Sequence, residues 1–134
     1  MKEFKWLVRV YYEDTDAGGI VYHTSYLKYM ERARTEYLRA LGYSLKQLRT
    51  EEGILFVVNR ININFKRPAV FDDELTVTAA LSKTTGAGLI FHQTICRNDE
   101  QLCEADIAVV CLSAERYSPK RMPKSLLADF AHDS

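Results

Sequence analysis

The chain has 134 residues, 47% of them hydrophobic and 27% charged, the size and composition of a single globular domain spanning residues 1–134 with a core of its own. Its 18 basic and 18 acidic residues cancel. That balance argues against a nucleic-acid partner, which selects for a basic excess, while leaving room for a local cationic patch. Cys96, Cys103 and Cys111 each sit in an apolar run without CxxC or Cys/His spacing, so they read as reduced core residues. The apolar run in MKEFKWLVRVYYED is too short and interrupted for a signal peptide, and no stretch is long enough to span a membrane. The expectation is a cytoplasmic protein without a transmembrane segment.

Residues 4–12 alternate around β-forming side chains and predict a first strand. Trp6, Val8, Val10 and Tyr12 would share one face, and Leu7, Arg9 and Tyr11 the other. The stretch EDTDAGGIVYHTSY ends that strand. Over residues 24–41 the period becomes helical, with Tyr26, Met30, Ala33, Tyr37 and Leu41 on one side and Glu31, Arg32, Thr35, Glu36 and Arg39 largely on the other. Thr24 or Ser25 is the expected cap and Gly42 the expected end. Ser44 followed by Gln47 fits a capping box for a short second helix.

After Gly53 the chain turns β-rich. Residues 55–66 place Val57, Ile61, Ile63 and Phe65 on one predicted face and Arg60, Asn62, Asn64 and Lys66 on the other, with Asn59 breaking the apolar row. Further strands are expected at 75–83, 89–97 and 103–113. They are separated by the turn compositions TTGAG and RNDEQ and therefore form an antiparallel meander. Pro119 and Pro123 punctuate the tail, and KSLLADF predicts a terminal helical turn. One long helix against five strands is an α+β layer. The opposite sheet face, mixed in character, would either face water or be buried against another subunit, and oligomerisation is expected.

EDTDAGGIVYHTSY packs three carboxylates, two glycines and a histidine ahead of the long helix. A calcium loop starting at Asp14 fails. Its fifth position is Gly18, which offers no side-chain oxygen, and its twelfth is Ser25 where a bidentate Glu is required. Asp14, Asp16 and His23 have no spacing diagnostic of a transition metal. An ordinary acidic turn at the positive end of a helix satisfies the residues taken singly, and a catalytic site stays open beside it.

Read whole, VRVYYEDTDAGGIVYHTSYLKYMERARTEYLRALG resembles the acyl-CoA thioesterases of the 4-hydroxybenzoyl-CoA thioesterase type, and most nearly the subgroup associated with the bacterial Tol-Pal system. The resemblance continues through FVVNRININFKRPAVFDDELTV, ADIAVVCLS and RMPKSLLADF. It implies a hotdog fold, a five-stranded antiparallel sheet wrapped around one long central helix. It also implies an acyl-CoA substrate; no cofactor and no metal are expected. Dimers made by edge-to-edge sheet pairing, often assembled as homotetramers with interfacial active sites, belong to the same implication. By the motif, Asp16 is the catalytic carboxylate and the backbone N–H that polarises the thioester carbonyl lies at His23. Tyr12 and the His23 side chain would flank the site. Gly18, Gly19, Val21 and Tyr22, which join the acid to the helix, are the expected substrate-binding positions.

The chemistry suits those residue types. A thioester releases a thiolate, which needs little acid assistance, so hydrolysis calls for a nucleophile or general base and a stabilised oxyanion. Asp16 would fill the first role by either route, and free N–H groups at the first helical turn the second. Asp14 and Glu13 are expected to serve the turn or solvent. Arg60, Lys66, Arg67 and Lys83 are the cations available for nucleotide phosphates. Thioesters of acyl carrier protein, a hydratase or dehydratase activity, and a non-catalytic acyl-thioester binding module are the alternatives.

Overall fold

The computed structural model describes residues 2–133. In chain order the elements are β1 (Phe4–Arg9), a single 3-10 turn (Tyr12–Asp14), α1 (His23–Ala40) and α2 (Leu45–Glu52). They continue with β2 (Ile54–Phe65), β3 (Glu74–Thr84), β4 (Gly88–Arg97), β5 (Glu100–Ser113) and α3 (Lys124–Asp133). The strands form one five-stranded sheet in the order β1-β3-β4-β5-β2, with every neighbouring pair antiparallel. The expected meander is β3–β4–β5. β1 and β2 close its two edges, and the sheet curls around α1 in the hotdog arrangement.

The alternation of the sequence decides which face meets the helix. Leu75, Val77, Ala79 and Leu81 of β3, Leu89, Phe91 and Ile95 of β4, and Ile107 and Val109 of β5 are all buried with Met30, Ala33 and Tyr37 of α1 in one core. At the middle of this apolar face stands Gln93, with no exposed surface. Its Nε2 donates to the carbonyls of Met30 (3.1 Å) and Thr78 (3.0 Å), and its Oε1 accepts from Arg34 Nη1 at 2.9 Å. A buried amide satisfied on both ends fixes the helix on the sheet in one position, where an apolar side chain would permit sliding. Burial lowers the pKa of the Arg34 guanidinium, with Glu31 acting in the opposite direction.

The tail does more than the expected helical turn. α3 lays the Phe130 ring parallel to that of Tyr37, with centroids 6.3 Å apart. Asp133 accepts from the Tyr37 hydroxyl at 2.7 Å and Asp129 from the Tyr43 hydroxyl at 2.6 Å. Burial, then the neighbouring Asp133, pushes the Tyr37 phenol well above its ordinary range. Two tyrosines of the α1 end thus anchor a segment that the sequence marks only by its short apolar pattern.

Three expectations need correction. β1 stops at Arg9, and Tyr12 lies in the 3-10 turn, 74% exposed, not on the apolar row of a strand. The turn forms because the Asp14 carboxylate takes the Tyr11 N–H at 2.9 Å and pulls the chain out of extension. Neither Thr24 nor Ser25 caps α1; the N-cap is Tyr22, without a side-chain hydrogen bond. In β2 the register steps from Val58 opposite Val109 to Arg60 opposite Ala108, leaving Asn59 as the extra residue of a β-bulge. The bulge inverts the alternation. Val58, not Val57, therefore shares the helix-facing side with Ile61, Ile63 and Phe65. The Ser44 cap forms as expected, accepting the Gln47 N–H, while the Gln47 side chain turns to Glu51.

Candidate active site

The acidic stretch folds into a small hairpin braced against α1. Thr15 bridges Val21, the Asp16 N–H donates to Ile20 O at 2.9 Å, and the Gly19 N–H returns to Asp16 O at 3.0 Å. The Asp14 carbonyl accepts both the Tyr22 N–H (2.8 Å) and the Ser25 hydroxyl (3.2 Å), tying the hairpin to the first helical turn. Tyr29, buried one turn further along α1, faces the Asp14 carboxylate without a well-aligned hydrogen bond. Burial first, and that carboxylate second, raise its phenol pKa. Asp14 is thus a brace whose polar groups point into the turn.

Asp16 has a different surrounding. Its Oδ1 accepts the Gly18 N–H at 2.8 Å, which fixes the carboxylate from behind. A Cβ at position 18 would meet that same oxygen at 3.2 Å, and Gly19 holds φ +80°, so each glycine meets a separate requirement of the turn. The hairpin docks on the segment after β2. Val21 N–H donates to Ala69 O at 2.9 Å, Ile20 bridges Val70, and the Ala69 N–H donates to the Tyr26 hydroxyl at 2.9 Å.

These bonds bring the start of α1 beside the end of β2, and a cavity of about 390 Å³ opens between them. Asp16, Ile20, Val21, His23 and Tyr26 form one wall, and Phe65, Lys66, Arg67 and Pro68 the other. The N–H groups of His23 and Thr24 have no acceptor among the described residues, and α1 carries no acidic residue in its first turn. The start of α1 therefore keeps two free N–H donors at its positive end.

Of the residues expected from the sequence, Asp16, Val21 and His23 share the cavity wall. Gly18 and Gly19 stand behind Asp16. Tyr22 lies outside the lining with its ring 4.4 Å from that of His23. Tyr12 stands apart, stacked on Phe71 with centroids 3.7 Å apart and planes 7° from parallel. Sequence reasoning missed Tyr26 and Phe65, whose rings meet edge-on at 5.4 Å. Both fit the apolar rows of their elements, and only the docking of helix start against strand end reveals that they face a cavity.

The far wall is held by an ion-pair chain. Arg97 donates to Asp73 (2.7 Å) and to Glu100 (2.7 Å), and Glu100 lies 3.1 Å from Arg67 Nε. Burial works to raise the Asp73 carboxyl, but the Val70 N–H and Arg97 outweigh it and hold its pKa below the ordinary value. Among the described residues no group of three or more His, Cys, Asp or Glu side chains is arranged for a metal ion, and no helix is long and apolar enough to cross a membrane.

The sequence matches the thioesterase-like superfamily over residues 10–130. It is 43% identical over 129 residues to the acyl-CoA thioesterase YbgC of Haemophilus influenzae, covering 96% of this chain and 95% of that protein. Among solved structures, a probable thioesterase from Bartonella henselae superposes with a TM-score of 0.88 at 36% identity, covering 91% of this chain and 100% of that one. A DHNA-CoA thioesterase from Staphylococcus aureus superposes at 0.93 over 98% of this chain and 91% of its own; at 20% identity this is a likeness of fold. The motif, the sheet wrapped on α1 and matches along nearly the whole length agree, and the chain belongs to the thioesterase-like superfamily, among its hotdog-fold acyl-CoA thioesterases.

Proposed function

We propose that this chain hydrolyses acyl-CoA thioesters of short or medium acyl chains or aromatic acyl groups, with Asp16 as the reacting carboxylate and the start of α1 as the oxyanion site. One observation carries the reading: Asp16 and His23, the residue whose N–H lacks an acceptor, line the same cavity. In the nucleophilic route an Asp16 oxygen adds to the thioester carbonyl. The C–S bond then breaks, the thiolate departs to take a proton from water, and a water molecule hydrolyses the mixed anhydride. In the general-base route Asp16 removes a proton from water as the water adds, and the thiolate leaves from the same tetrahedral intermediate. The oxyanion draws on the His23 backbone N–H and the helix dipole in both routes. The His23 side chain orients the carboxylate or its water, Val21 contacts the acyl group, and Tyr12 and Tyr22 supply aromatic surface around the hairpin.

The site is proposed to work within a homotetramer of hotdog dimers. β2 pairs with β5 on one side only, and Val57, Val58, Ile61 and Phe65 along it are 38–48% exposed. A long apolar edge strand invites pairing with a second copy. Since Phe65 also lines the cavity, that pairing would finish the site. Three free cysteines and a coenzyme A substrate suit the cytoplasm. Incubation with a panel of acyl-CoAs tests the activity. Thiol release is expected. Hydration of an enoyl thioester without thiol release would support a hydratase, and binding without turnover a carrier module; either would refute the proposal.

A further inference from the structure

Four cations were available to the sequence reading for substrate phosphates, and the structure separates them. Arg60 follows the bulge on β2 and lines a different cavity, with Asn62, Ser82 and Asp106. Lys83 lies beside the register shift in β3. Only Lys66 and Arg67 line the cavity that holds Asp16 and His23.

Their presence there together has a backbone cause. In a regular strand successive side chains point to opposite faces, so two adjacent residues cannot both serve one cavity. β2 stops at Phe65, and the N–H groups of Lys66 (2.8 Å) and Arg67 (3.1 Å) both donate to the carbonyl of Leu102. Two residues meeting one acceptor break the alternation, as in a bulge, and Pro68 follows immediately. Side chains 65 to 68 therefore all reach the same wall.

Both cations are held while keeping donors to spare. Glu100 approaches Arg67 through Nε, and Glu100 is itself shared with Arg97. The Nη face of a guanidinium carries four further N–H donors, and the Arg67 side chain is 67% exposed. Lys66 Nζ is steadied by Gln101 and lies 3.8 Å from Glu104, beyond hydrogen-bond distance. A planar guanidinium fork and an ammonium on the wall of the cavity that also holds the Asp16 carboxylate and a helix start with free N–H groups fit a phosphate oxygen cluster.

We propose that Lys66 and Arg67 seat the phosphate of a phosphorylated pantetheine arm, so that its thioester end reaches Asp16; this rests on the thioesterase reading above. Coenzyme A and the phosphopantetheine of a carrier protein share that chemistry, and the test separates them. Lys66→Gln, Arg67→Gln and the double variant are compared with wild type on one acyl group carried by coenzyme A, by a carrier protein, by 4′-phosphopantetheine and by pantetheine. For the phosphorylated carrier that the enzyme uses, KM rises about tenfold per cation removed, the low end for a charge-assisted hydrogen bond. With the acyl-pantetheine KM stays put, and kcat is preserved on both. The wild-type KM for acyl-CoA also climbs with ionic strength and that of the double variant much less. If acyl-CoA alone shows the effect the seat serves the nucleotide thiol, and if the carrier-protein thioester alone does it serves the protein-bound arm; both outcomes uphold it. Equal losses on acyl-pantetheine, or unchanged KM throughout, overturn it. Equilibrium binding of coenzyme A itself, about a hundredfold weaker to the double variant at that same loss per cation, checks the seat without turnover. Wild type that binds coenzyme A but releases no thiol therefore defeats the thioesterase reading and spares the seat, while unchanged binding defeats the seat.

Discussion

Gly18 and Gly19 are adjacent, yet the structure gives them different duties, and Gly18→Ala and Gly19→Ala should separate them. At position 18 a Cβ would stand 3.2 Å from Asp16 Oδ1, while Gly18 lies outside the left-handed region. The carboxylate must then retreat by a few tenths of an ångström. A displacement of 1 Å at reacting atoms costs about 10²-fold in rate, so a shift of ~0.3 Å costs roughly fourfold if the penalty scales evenly. At position 19 a Cβ meets nothing within 4 Å, but φ +80° is strained for an L side chain. That strain costs about 1–2 kcal/mol. Unfolding entropy near 2.1 cal/mol/K per residue over 134 residues makes about 0.28 kcal/mol/K, so the Tm falls by roughly 4–7 °C. Thiol release from a saturating acyl-CoA measures the first effect and thermal melts the second. The expected pattern is crossed: Gly18→Ala lowers kcat with little change in Tm, and Gly19→Ala lowers Tm with kcat largely kept. Two variants that lose Tm alike with kcat intact would refute the link between Gly18 and the carboxylate.

The two aspartates of the motif should also part company. Asp14→Asn keeps an oxygen for the Tyr11 N–H and should leave kcat within about threefold. Asp14→Ala loses that bond, worth about 1 kcal/mol, and should lower the Tm by roughly 4 °C. A loss from Asp14→Asn as severe as from a change at Asp16 would point to a paired-carboxylate site. The far wall makes a prediction about acid. The Asp73 carboxyl titrates below its ordinary value in the folded chain, so its stabilisation is complete above the unfolded carboxyl range and vanishes as pH falls through the lowered value. Urea midpoints followed from neutral pH down to about pH 3 should therefore fall more steeply for wild type than for Asp73→Asn, and parallel curves would contradict the Arg97 pairing.

The order of elements and the meander were legible because apolar side chains recur at the strand period in β3, β4 and β5, broken in β4 only by Gln93, and at the helical period in α1. What escaped was geometry that depends on one residue or on distant segments. Asn59 reads as a polar break in an apolar row, but as a bulge it inverts every side chain before it relative to those after it. Tyr12 continues the alternation of β1, and a hydrogen bond from the following Asp14 carboxylate takes it out of the strand. Capping by Thr24 or Ser25 was the local expectation, whereas a carbonyl eleven residues before Ser25 receives its hydroxyl. The roles proposed for Asp16 and His23 came from motif resemblance, since composition alone left an acidic turn as adequate. Tyr26, Phe65, Lys66 and Arg67 gather only because the hairpin bonds to Ala69 and Val70, a pairing between segments some fifty residues apart that no local pattern announces.

The central claim is that the Asp16 carboxylate carries the chemistry. Asp16→Asn keeps the shape and an oxygen for the Gly18 N–H while removing the charge. Measured on the best acyl-CoA of the panel, kcat/KM is predicted to fall by roughly three orders of magnitude or more, with Tm and oligomeric state unchanged. A variant of intact fold that keeps a large part of wild-type activity would contradict the account and move the reacting group elsewhere.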